Sequence, residues 1–553
     1  MALALPWIFI FSSKSKQQFF SGIALTTIGV ISCGYIAFNE TALSDQYGFL
    51  SGLHQFLIAG LLILITLEMA RRAIGWPLPL IASMSIFYGL FGQHIPGEFG
   101  HAGIPINSFL GTLIITEGGL WGSLTGVSVS IVAVFVIFGA ILNAGEAGKG
   151  FMNIAVAAAG RLKGGAAKVS VVASALFGSI SGSASANVAS TGMVTLPAMK
   201  KLGYPKRVAG AVEAVASTGG QIMPPLMGAG AFVMVELTGI PYEKIILAAI
   251  LPAILYFWTV WVGVNQYADK YNLKPYSVDM LPAYSVVVKT ALFFFIPFSI
   301  LLLFMFSGYT PQFAAAIAIL SASILLFIGL DFRFDLNRAS QRFMDASLFS
   351  GQQIAMIASI ILCASLIVGV LGITGLGIKI TSSILSVSQG NLWLALLLTA
   401  LACIILGMEV PTTAAYVICV SVAGPALIDL GLEALTVHLF VFWFALLSTI
   451  TPPVCGGVFI AATMVGENWF KVALSAMALG LGLYIVPLAM VQHQNLIQLE
   501  AHPLKAIVVA LQLAFGLSLI GKGLIGTKWS VTRSLSIVLG LIIMFSINLS
   551  NYL

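Results

Sequence analysis

The sequence predicts an all-α polytopic membrane protein with about 13 transmembrane helices and two re-entrant helical hairpins in an inverted-topology repeat. Three observations support this fold class. Only 8% of the 553 residues are charged and 59% are hydrophobic, whereas soluble domains carry about 25% charged residues. Apolar runs of about 20 residues, long enough to cross a bilayer as helices, recur along the chain. Two longer segments carry the same order of motifs at a constant offset.

The composition also narrows the possible partners and cofactors. The net charge of +6 comes from basic residues in short loops, which indicates membrane topology rather than a nucleic-acid partner. The five cysteines form no CxxC pair and the six histidines no HxxxH pair, so no disulfide framework, metal cluster or cofactor is expected. No nucleotide-binding motif occurs, so we expect no ATP-driven step on this chain. Lys14 and Lys16 follow the apolar segment Met1–Phe11, the reverse of a signal peptide, and predict an interfacial segment.

Apolar runs of crossing length lie along the whole chain. They predict spans at Phe19–Phe38, Ser51–Ala70, Trp76–Gly92, Leu124–Asn143, Val208–Leu237, Ile246–Gln266, Lys289–Phe306, Gln312–Leu330, Ser350–Leu371, Leu435–Met464, Phe470–Val491, Leu504–Leu524 and Val531–Ile547. Two further segments, Pro105–Trp121 and Thr374–Ser388, are half polar, so we expect them along the membrane surface.

Two segments are too long to cross the membrane once as a helix and too short to cross it twice. As single helices, residues 169–199 and 392–428 would be about 46 and 55 Å long, against about 30 Å of hydrocarbon. Each has small, polar and helix-breaking residues at its centre, Ser179–Asn187 in the first and Gly407–Thr413 in the second. A helix, a non-helical tip and a returning helix fit these lengths, so both segments are predicted to be re-entrant hairpins.

The distribution of basic residues tests the hairpin prediction, because cytoplasmic loops are enriched in Lys and Arg. With two hairpins and a cytoplasmic N-terminus, every Lys and Arg except Lys244, Lys379 and Lys505 lies on the cytoplasmic side. With two full crossings instead, the basic residues from Lys200 through Arg342, other than Lys244, move to the outside, while Lys244 and Lys379 move to the inside. The hairpin topology therefore fits better, with the first hairpin opening to the cytoplasm and the second to the periplasm.

An interrupted apolar helix follows each hairpin, at about 208–237 and 435–464. Ser185 and Pro225 are 40 positions apart (225 − 185), as are Thr413 and Pro453 (453 − 413), so one offset of 228 (413 − 185) relates both tips and both Pro-Pro breaks. Inverted repeats of this kind place substrate and ion sites near the membrane midplane, on discontinuous helices. Freed N–H groups there favour an anion, and freed carbonyls and hydroxyls favour a cation.

Two acidic residues fall within these motifs. Glu213 lies one turn before Ser217, and Glu409 lies in the second tip. Charges at membrane depth are costly and are therefore functional candidates. Either could carry a coupling proton or balance a cation, and either could instead accept hydrogen bonds from a freed helix end. Serines and glycines of the same motifs could simply permit close helix packing.

These motifs resemble a known family. Gly164-Gly165 and the run ASALFGSISGS at 173–183 resemble the first hairpin of the large membrane subunit of tripartite ATP-independent periplasmic (TRAP) transporters. The run GAVEA at 210–214 before the first break resembles the TAXI branch, in which the small and large membrane subunits are fused. PTTAAY at 411–416 and TPP at 451–453 match as well. The resemblance covers roughly residues 50–550.

The resemblance implies an elevator-type, cation-coupled importer in the bacterial inner membrane. A periplasmic TAXI-type solute-binding protein would deliver a small organic anion, such as a dicarboxylate, a 2-oxoacid or an amino acid. Sodium is expected at Ser183, Thr413 and neighbouring carbonyls, with proton coupling as the alternative. The candidate substrate- and ion-binding residues are Ser181, Gly182, Ser183, Ser185, Asn187, Glu213, Ser217, Thr218, Gln221, Glu409, Thr412, Thr413, Ser448, Thr449 and Thr451.

The same mapping divides the chain into three regions. Residues 1–75 would be a reduced small-subunit-like scaffold, since fewer spans precede Trp76 than a fused small subunit usually contributes. Residues 76–500 would be the large-subunit-like permease, and residues 501–553 would add two C-terminal spans. The N-terminus is predicted to be cytoplasmic and the C-terminus periplasmic.

Other functions fit the sequence less well. A stand-alone divalent-anion/sodium symporter would share the inverted repeat but need no binding protein. An intramembrane enzyme would need a nucleophile and a base together, and no histidine lies near the tip serines. A channel is also conceivable, but re-entrant tips from both sides fit alternating access better. The chain is therefore expected not to be an enzyme.

Overall fold

A computed structural model describes residues 1–13, 15–408, 410–526 and 531–546, except for the side chains of Ile180, Ser181 and Val278. Its α-helices are Lys16–Phe38 (α1), Glu40–Ser44 (α2), Leu53–Ile74 (α3), Pro77–Phe91 (α4), Ile106–Ile115 (α5), Ser123–Val127 (α6), Ala133–Ala144 (α7), Ala147–Ala159 (α8), Gly165–Ser181 (α9), Ala184–Lys201 (α10), Lys206–Gly219 (α11), Gly228–Thr238 (α12), Tyr242–Tyr271 (α13), Tyr284–Phe306 (α14), Pro311–Leu326 (α15), Leu336–Thr374 (α16), Leu376–Ser388 (α17), Leu392–Leu406 (α18), Thr412–Asp429 (α19), Ala434–Leu447 (α20), Gly456–Val465 (α21), Trp469–Leu479 (α22), Gly482–Gln492 (α23), Pro503–Ile525 (α24) and Val531–Phe545 (α25).

Short turns of π- or 3₁₀-helix connect some of these elements. They are Trp7–Phe11, Gly92–His94, Ser128–Val132, Gly220–Ile222, Val278–Met280 and Gln494–Ile497. Nine of the described helical segments are long and apolar enough to cross a membrane, and shorter apolar helices accompany them. The predicted all-α polytopic class is thus confirmed. The count of about 13 spans stays a prediction, because several expected spans are built from helices shorter than a crossing.

Two predicted spans differ from the helices observed. The span predicted at Ser350–Leu371 is part of the longer α16, which begins after Asp335. The Asp335 carboxylate accepts from the backbone N–H groups of Asn337 and Arg338 at 2.9 and 3.1 Å, and such a cap starts a helix in a polar stretch that a search for apolar runs passes over. The span predicted at Phe470–Val491 consists of α22 and α23, separated at Gly480 and Leu481.

The repeat inferred from motifs is present in the backbone. Adding 228 to the bounds of α10 (184–201) and α11 (206–219) gives 412–429 and 434–447, the bounds of α19 and α20. The starts of α12 and α21 differ by the same amount (456 − 228 = 228). Both Pro-Pro bonds, Pro224-Pro225 and Pro452-Pro453, are cis. Each predicted hairpin segment is a pair of helices and each predicted broken helix is interrupted. The opposite orientation of the two repeats in the membrane stays a prediction.

The described chain forms two compact units, and their boundaries fall inside α7 and α16 and just before α20. The first unit comprises Met1–Val136 and Ser347–Glu433. Its core includes the buried side chains of Leu62, Phe109 and Leu362. Leu5 and Phe9 belong to the same core and are fully buried, so the Met1–Phe11 segment packs against this unit. The predicted regions 1–75, 76–500 and 501–553 are drawn by resemblance to the subunits of the family and not by contacts. That division stays a prediction.

The second unit comprises Ile137–Ala346 and Ala434–Leu553. It contains the first hairpin (α9 and α10) and both broken helices (α11–α12 and α20–α21). Every side chain from Val208 through Gly219 is buried, as is every side chain from Thr436 through Leu447. The first half of each broken helix, α11 and α20, is thus enclosed by protein up to the break, which irregular backbone at membrane depth requires.

Candidate substrate and ion site

The tip of the first hairpin is built for close backbone contact. Gly182 ends α9 with φ +61°, and a β-carbon at this position would lie 2.5 Å from the Cα of Gly228. Only glycine fits this left-handed, crowded position. Ser183 begins the returning helix, and its hydroxyl accepts from the Ala186 N–H at 3.3 Å. The tip therefore touches the start of α12, directly after the first Pro-Pro break.

A side chain from the first break holds this tip in place. Gln221 lies in the 3₁₀ turn after α11, and its amide donates to the Gly182 carbonyl at 2.8 Å. On the far side of the break, the Tyr242 hydroxyl donates to the Pro225 carbonyl. The freed carbonyls of the α11 end and the freed N–H groups of the α12 start lie on either side of this fixed loop, and such ends attract cations and anions respectively.

The two breaks meet through a pair of threonines. The Thr218 and Thr449 hydroxyls are 2.9 Å apart. Gly457 lies in the first turn of α21 beside them, and a β-carbon there would lie 3.2 Å from the Thr449 carbonyl oxygen and 3.8 Å from the Thr218 hydroxyl. Thr451 contributes a third hydroxyl, 2.6 Å from that of Tyr484. Hydroxyls and freed backbone groups of both broken helices are thus brought together in the second unit.

Asn187 ties the hairpin to the first broken helix. Its side chain is fully buried, and its amide donates to the Ser174 and Ser217 carbonyls at 3.0 and 3.3 Å. Its amide oxygen has no hydrogen-bond partner among the described residues. A buried oxygen without a hydrogen-bond donor can ligate a cation or accept from a water molecule.

Glu213 lies deeper, in a cluster of hydroxyls. It is fully buried, and the Ser170 hydroxyl donates to its carboxylate at 2.8 Å. The Thr191 hydroxyl donates to Oε1 of Glu213 and the Thr195 hydroxyl to Oε2, and the Ser217 hydroxyl lies 3.4 Å from Oε1. No basic side chain pairs with it in the part of the chain that the structure describes. The carboxyl of Glu213 is therefore surrounded by neutral groups that can donate to its ionised form and accept from its protonated form.

The other predicted residues are placed less centrally. Ser185 is exposed on α10, and the Ser448 hydroxyl donates within its own chain segment, to the Ala445 carbonyl at 2.9 Å. Thr412 and Thr413 start α19 in the first unit, where both are half-buried. The Ser181 side chain and Glu409 lie outside the described residues.

Sequence reasoning missed the hydroxyls around Glu213. Ser170, Ser174, Thr191 and Thr195 were not among the predicted residues, although all are buried. A signal was present, because Asn187, Thr191 and Thr195 recur every four residues and must share one face of α10. A polar stripe in a helix of an apolar chain indicates a buried polar partner, and that partner is Glu213.

Comparison with known proteins places these features in a family. The family model described as "Tripartite ATP-independent periplasmic transporter, DctM component" matches residues 61–504. The chain is 26% identical to the C4-dicarboxylate TRAP transporter large permease protein DctM of Pseudomonas aeruginosa, over 60% of this chain and 76% of that protein.

Other relatives carry different substrate names. The chain is 25% identical to the isethionate TRAP transporter permease protein DctMQ of Oleidesulfovibrio alaskensis, over 75% of this chain and 68% of that protein. It is 29% identical to the 2,3-diketo-L-gulonate TRAP transporter large permease protein YiaN of Escherichia coli, over 34% of this chain and 45% of that protein. The family match covers more than half of the chain. This chain therefore belongs to the DctM family of TRAP transporter permeases and is a multi-pass membrane transporter, not an enzyme.

Proposed function

We propose that this permease is a secondary active, cation-coupled importer of a small organic anion in the inner membrane. The contact between Thr218 and Thr449, which joins the two helix breaks at 2.9 Å, carries the proposal. It brings freed N–H groups, carbonyls and hydroxyls of two discontinuous helices to one place, which is the arrangement by which such transporters bind an anion together with a cation.

The names of the relatives support the substrate class. The similar proteins are named for C4-dicarboxylate, isethionate and 2,3-diketo-L-gulonate, and each is a small organic anion at neutral pH. We propose a carboxylate or sulfonate of this size, with dicarboxylates, 2-oxoacids and amino acids as the first compounds to test. Its anionic group would bind the freed N–H groups at the starts of α12 and α21.

We propose a proton as the coupling cation and Glu213 as its carrier. The carboxyl is fully buried, and four hydroxyls from α9, α10 and α11 surround it. One of them, Ser217, lies one turn further along α11, towards the first break. An ionised carboxylate is costly at such depth, so coupling its protonation to substrate binding has a physical basis. Sodium, held by Ser183 or by the unpaired oxygen of Asn187, is the alternative.

We also propose how the substrate reaches the permease and how it crosses the membrane. A periplasmic solute-binding protein of the TAXI type would hand over the substrate, in keeping with the GAVEA run at 210–214. The hairpins and broken helices would then carry the substrate across as an elevator domain. A stand-alone symporter without a binding protein is the alternative.

The test is uptake into proteoliposomes that contain the purified permease. Radiolabelled succinate, 2-oxoglutarate, glutamate and isethionate would be offered with and without a TAXI-type solute-binding protein from the same organism, under an inward proton or sodium gradient. We expect uptake of one of these anions only with the binding protein and a proton gradient.

Each alternative gives a different pattern. Uptake without the binding protein supports the stand-alone symporter, and uptake driven by sodium alone moves the coupling site away from Glu213. Uptake that equilibrates at the same rate under either gradient and under none contradicts secondary active transport.

A further inference from the structure

A basic cavity of the second unit lies apart from the helix breaks. It has a volume of about 200 Å³ and lies where the start of α11, the end of α13 and the start of α22 converge. Three cationic side chains line it, and three hydroxyl-bearing side chains accompany them. The cationic residues are Arg207, Lys270 and Lys471, and the hydroxyls belong to Tyr267, Tyr271 and Ser475.

The charges of this cavity are poorly neutralised. No acidic residue lines it among the described residues, and the acid beside it, Glu467, is 3.9 Å from the Lys471 ammonium. Arg207 donates to the Tyr271 hydroxyl at 2.8 Å, and that hydroxyl can still donate to a further acceptor. Among the described residues, the Lys270 ammonium contacts the Gly526 carbonyl at 3.4 Å, the Ile525 carbonyl at 3.5 Å and the Tyr271 ring at 5.9 Å from its centre. Three cations therefore face one small space with a single carboxylate nearby.

The positions of two of these cations are unfavourable without a bound anion. Arg207 and Lys471 lie in the first turns of α11 and α22. The helix dipole disfavours positive charge there and favours negative charge. The residues 228 positions after Lys206 and Arg207 are Ala434 and Leu435, so the repeat itself does not require a basic helix start. An anion in the cavity would offset both the charges and the dipoles.

The rim of the cavity indicates an amphiphilic ligand. Leu474 lines the cavity and is 54% exposed, and Phe470, one turn away on the same face of α22, is 48% exposed. An apolar strip thus leads from the cationic space along the outer face of α22. The predicted topology places Arg207, Lys270 and Lys471 at the cytoplasmic surface, where anionic lipids attract basic pockets between helices.

From this geometry we propose that the cavity binds the phosphate of an anionic phospholipid of the cytoplasmic leaflet. The three cations and the Tyr271 hydroxyl would hold the phosphodiester, and an acyl chain would lie along Leu474 and Phe470. Such a lipid would hold the starts of α11 and α22 together and so stabilise the first half of the first broken helix.

Native mass spectrometry of the purified permease with added phosphatidylglycerol tests the proposal. The cavity variants are Arg207→Gln with Lys471→Gln, and Lys471→Gln alone, whose exposed side chain leaves folding unaffected. The charge-matched control is Lys274→Gln with Arg333→Gln, two exposed residues of the same predicted side that lie outside the cavity. We expect about tenfold less bound phosphatidylglycerol in the double cavity variant, a smaller loss in Lys471→Gln, and no change in the control.

A second arm separates a lipid from a free anion. Inorganic phosphate, glycerol 3-phosphate and phosphatidylcholine would be compared with phosphatidylglycerol by their effect on the melting temperature of the wild type. Stabilisation by phosphatidylglycerol alone supports the proposal. Equal stabilisation by inorganic phosphate, or equal phosphatidylglycerol binding by wild type and double cavity variant, overturns it.

Discussion

Helices α9–α12 and α18–α21 have the same order, the same lengths to within a few residues and the same cis Pro-Pro bonds at an offset of 228. Their buried side chains differ. The first repeat buries a polar cluster of Ser170, Asn187, Thr191, Thr195, Glu213 and Ser217. The corresponding residues of the second repeat are Leu398, Ala415, Cys419, Ala423, Val441 and Ala445.

The two repeats share the positions of their helix breaks but not their buried polar side chains. Helix breaks depend on the backbone, and both repeats keep the Pro-Pro pair at the break, Pro224-Pro225 and Pro452-Pro453. A proline also recurs inside the returning helix of each hairpin, at Pro197 and at Pro425. Ion chemistry depends on side chains, and among the described residues the first repeat buries a carboxyl with hydroxyl partners, Glu213, whereas Glu409 of the second repeat lies outside the described residues. We infer that the broken helices of both repeats shape the site and that, under the proposed proton coupling, the first repeat supplies the carrier.

A carboxyl introduced at the position of the second repeat that corresponds to Glu213 should have the largest effect on the free energy of unfolding. Val441 is fully buried, so Val441→Glu would bury a carboxyl in a repeat whose six positions corresponding to the polar cluster are Leu, Ala, Cys and Val. We expect a loss of about 3 kcal/mol in the free energy of unfolding or more. Denaturant unfolding in detergent measures this loss. Val441→Leu is the control for added volume without charge and should cost less than Val441→Glu, about 1–3 kcal/mol. A Val441→Glu protein as stable as wild type would show that the second repeat also accommodates a buried carboxyl.

Removing one hydroxyl from the polar cluster should have an intermediate effect. Thr191→Val keeps the side-chain shape but removes a hydroxyl that contacts the Glu213 carboxyl, and such a hydrogen bond contributes about 0.5–1.5 kcal/mol to the protonated group and about 1.5–3 kcal/mol to the ionised one. We expect a loss of about 2 kcal/mol in the free energy of unfolding. Cys419→Val, at the matching position of the second repeat, should change it by less than about 1.5 kcal/mol. Equal losses in the two variants would argue for a packing role of Thr191.

The smallest effect is expected at the contact between the breaks. The Thr218 and Thr449 hydroxyls form one neutral hydrogen bond, which is worth about 1 kcal/mol. In a double-mutant cycle with Thr218→Val and Thr449→Val, we expect a coupling energy of about 1 kcal/mol in the free energy of unfolding. A coupling near zero would mean that the two breaks are held together by packing alone.

Much of the backbone could be predicted from the sequence, because its signals are local. Pro224-Pro225, Pro452-Pro453 and the polar hairpin centres mark the helix ends directly, and apolar length marks the rest. The contacts of Glu213 could not be predicted, because they depend on how α9 and α10 pack on α11. Ser185 shows the same limit, since the motif includes it but the helix turns it outward.

The melting temperature of the purified permease tests the central claim most directly. Wild type, Glu213→Gln and Ser183→Ala would be compared at about pH 6 and about pH 8, in sodium and in choline chloride. The account predicts that the melting temperature of wild type and of Ser183→Ala is several degrees higher at the lower pH, because a proton bound at the Glu213 carboxyl stabilises the folded state. This difference should be lost in Glu213→Gln. A sodium-selective shift that persists in Glu213→Gln and disappears in Ser183→Ala would contradict it and place the coupling cation at the hairpin tip.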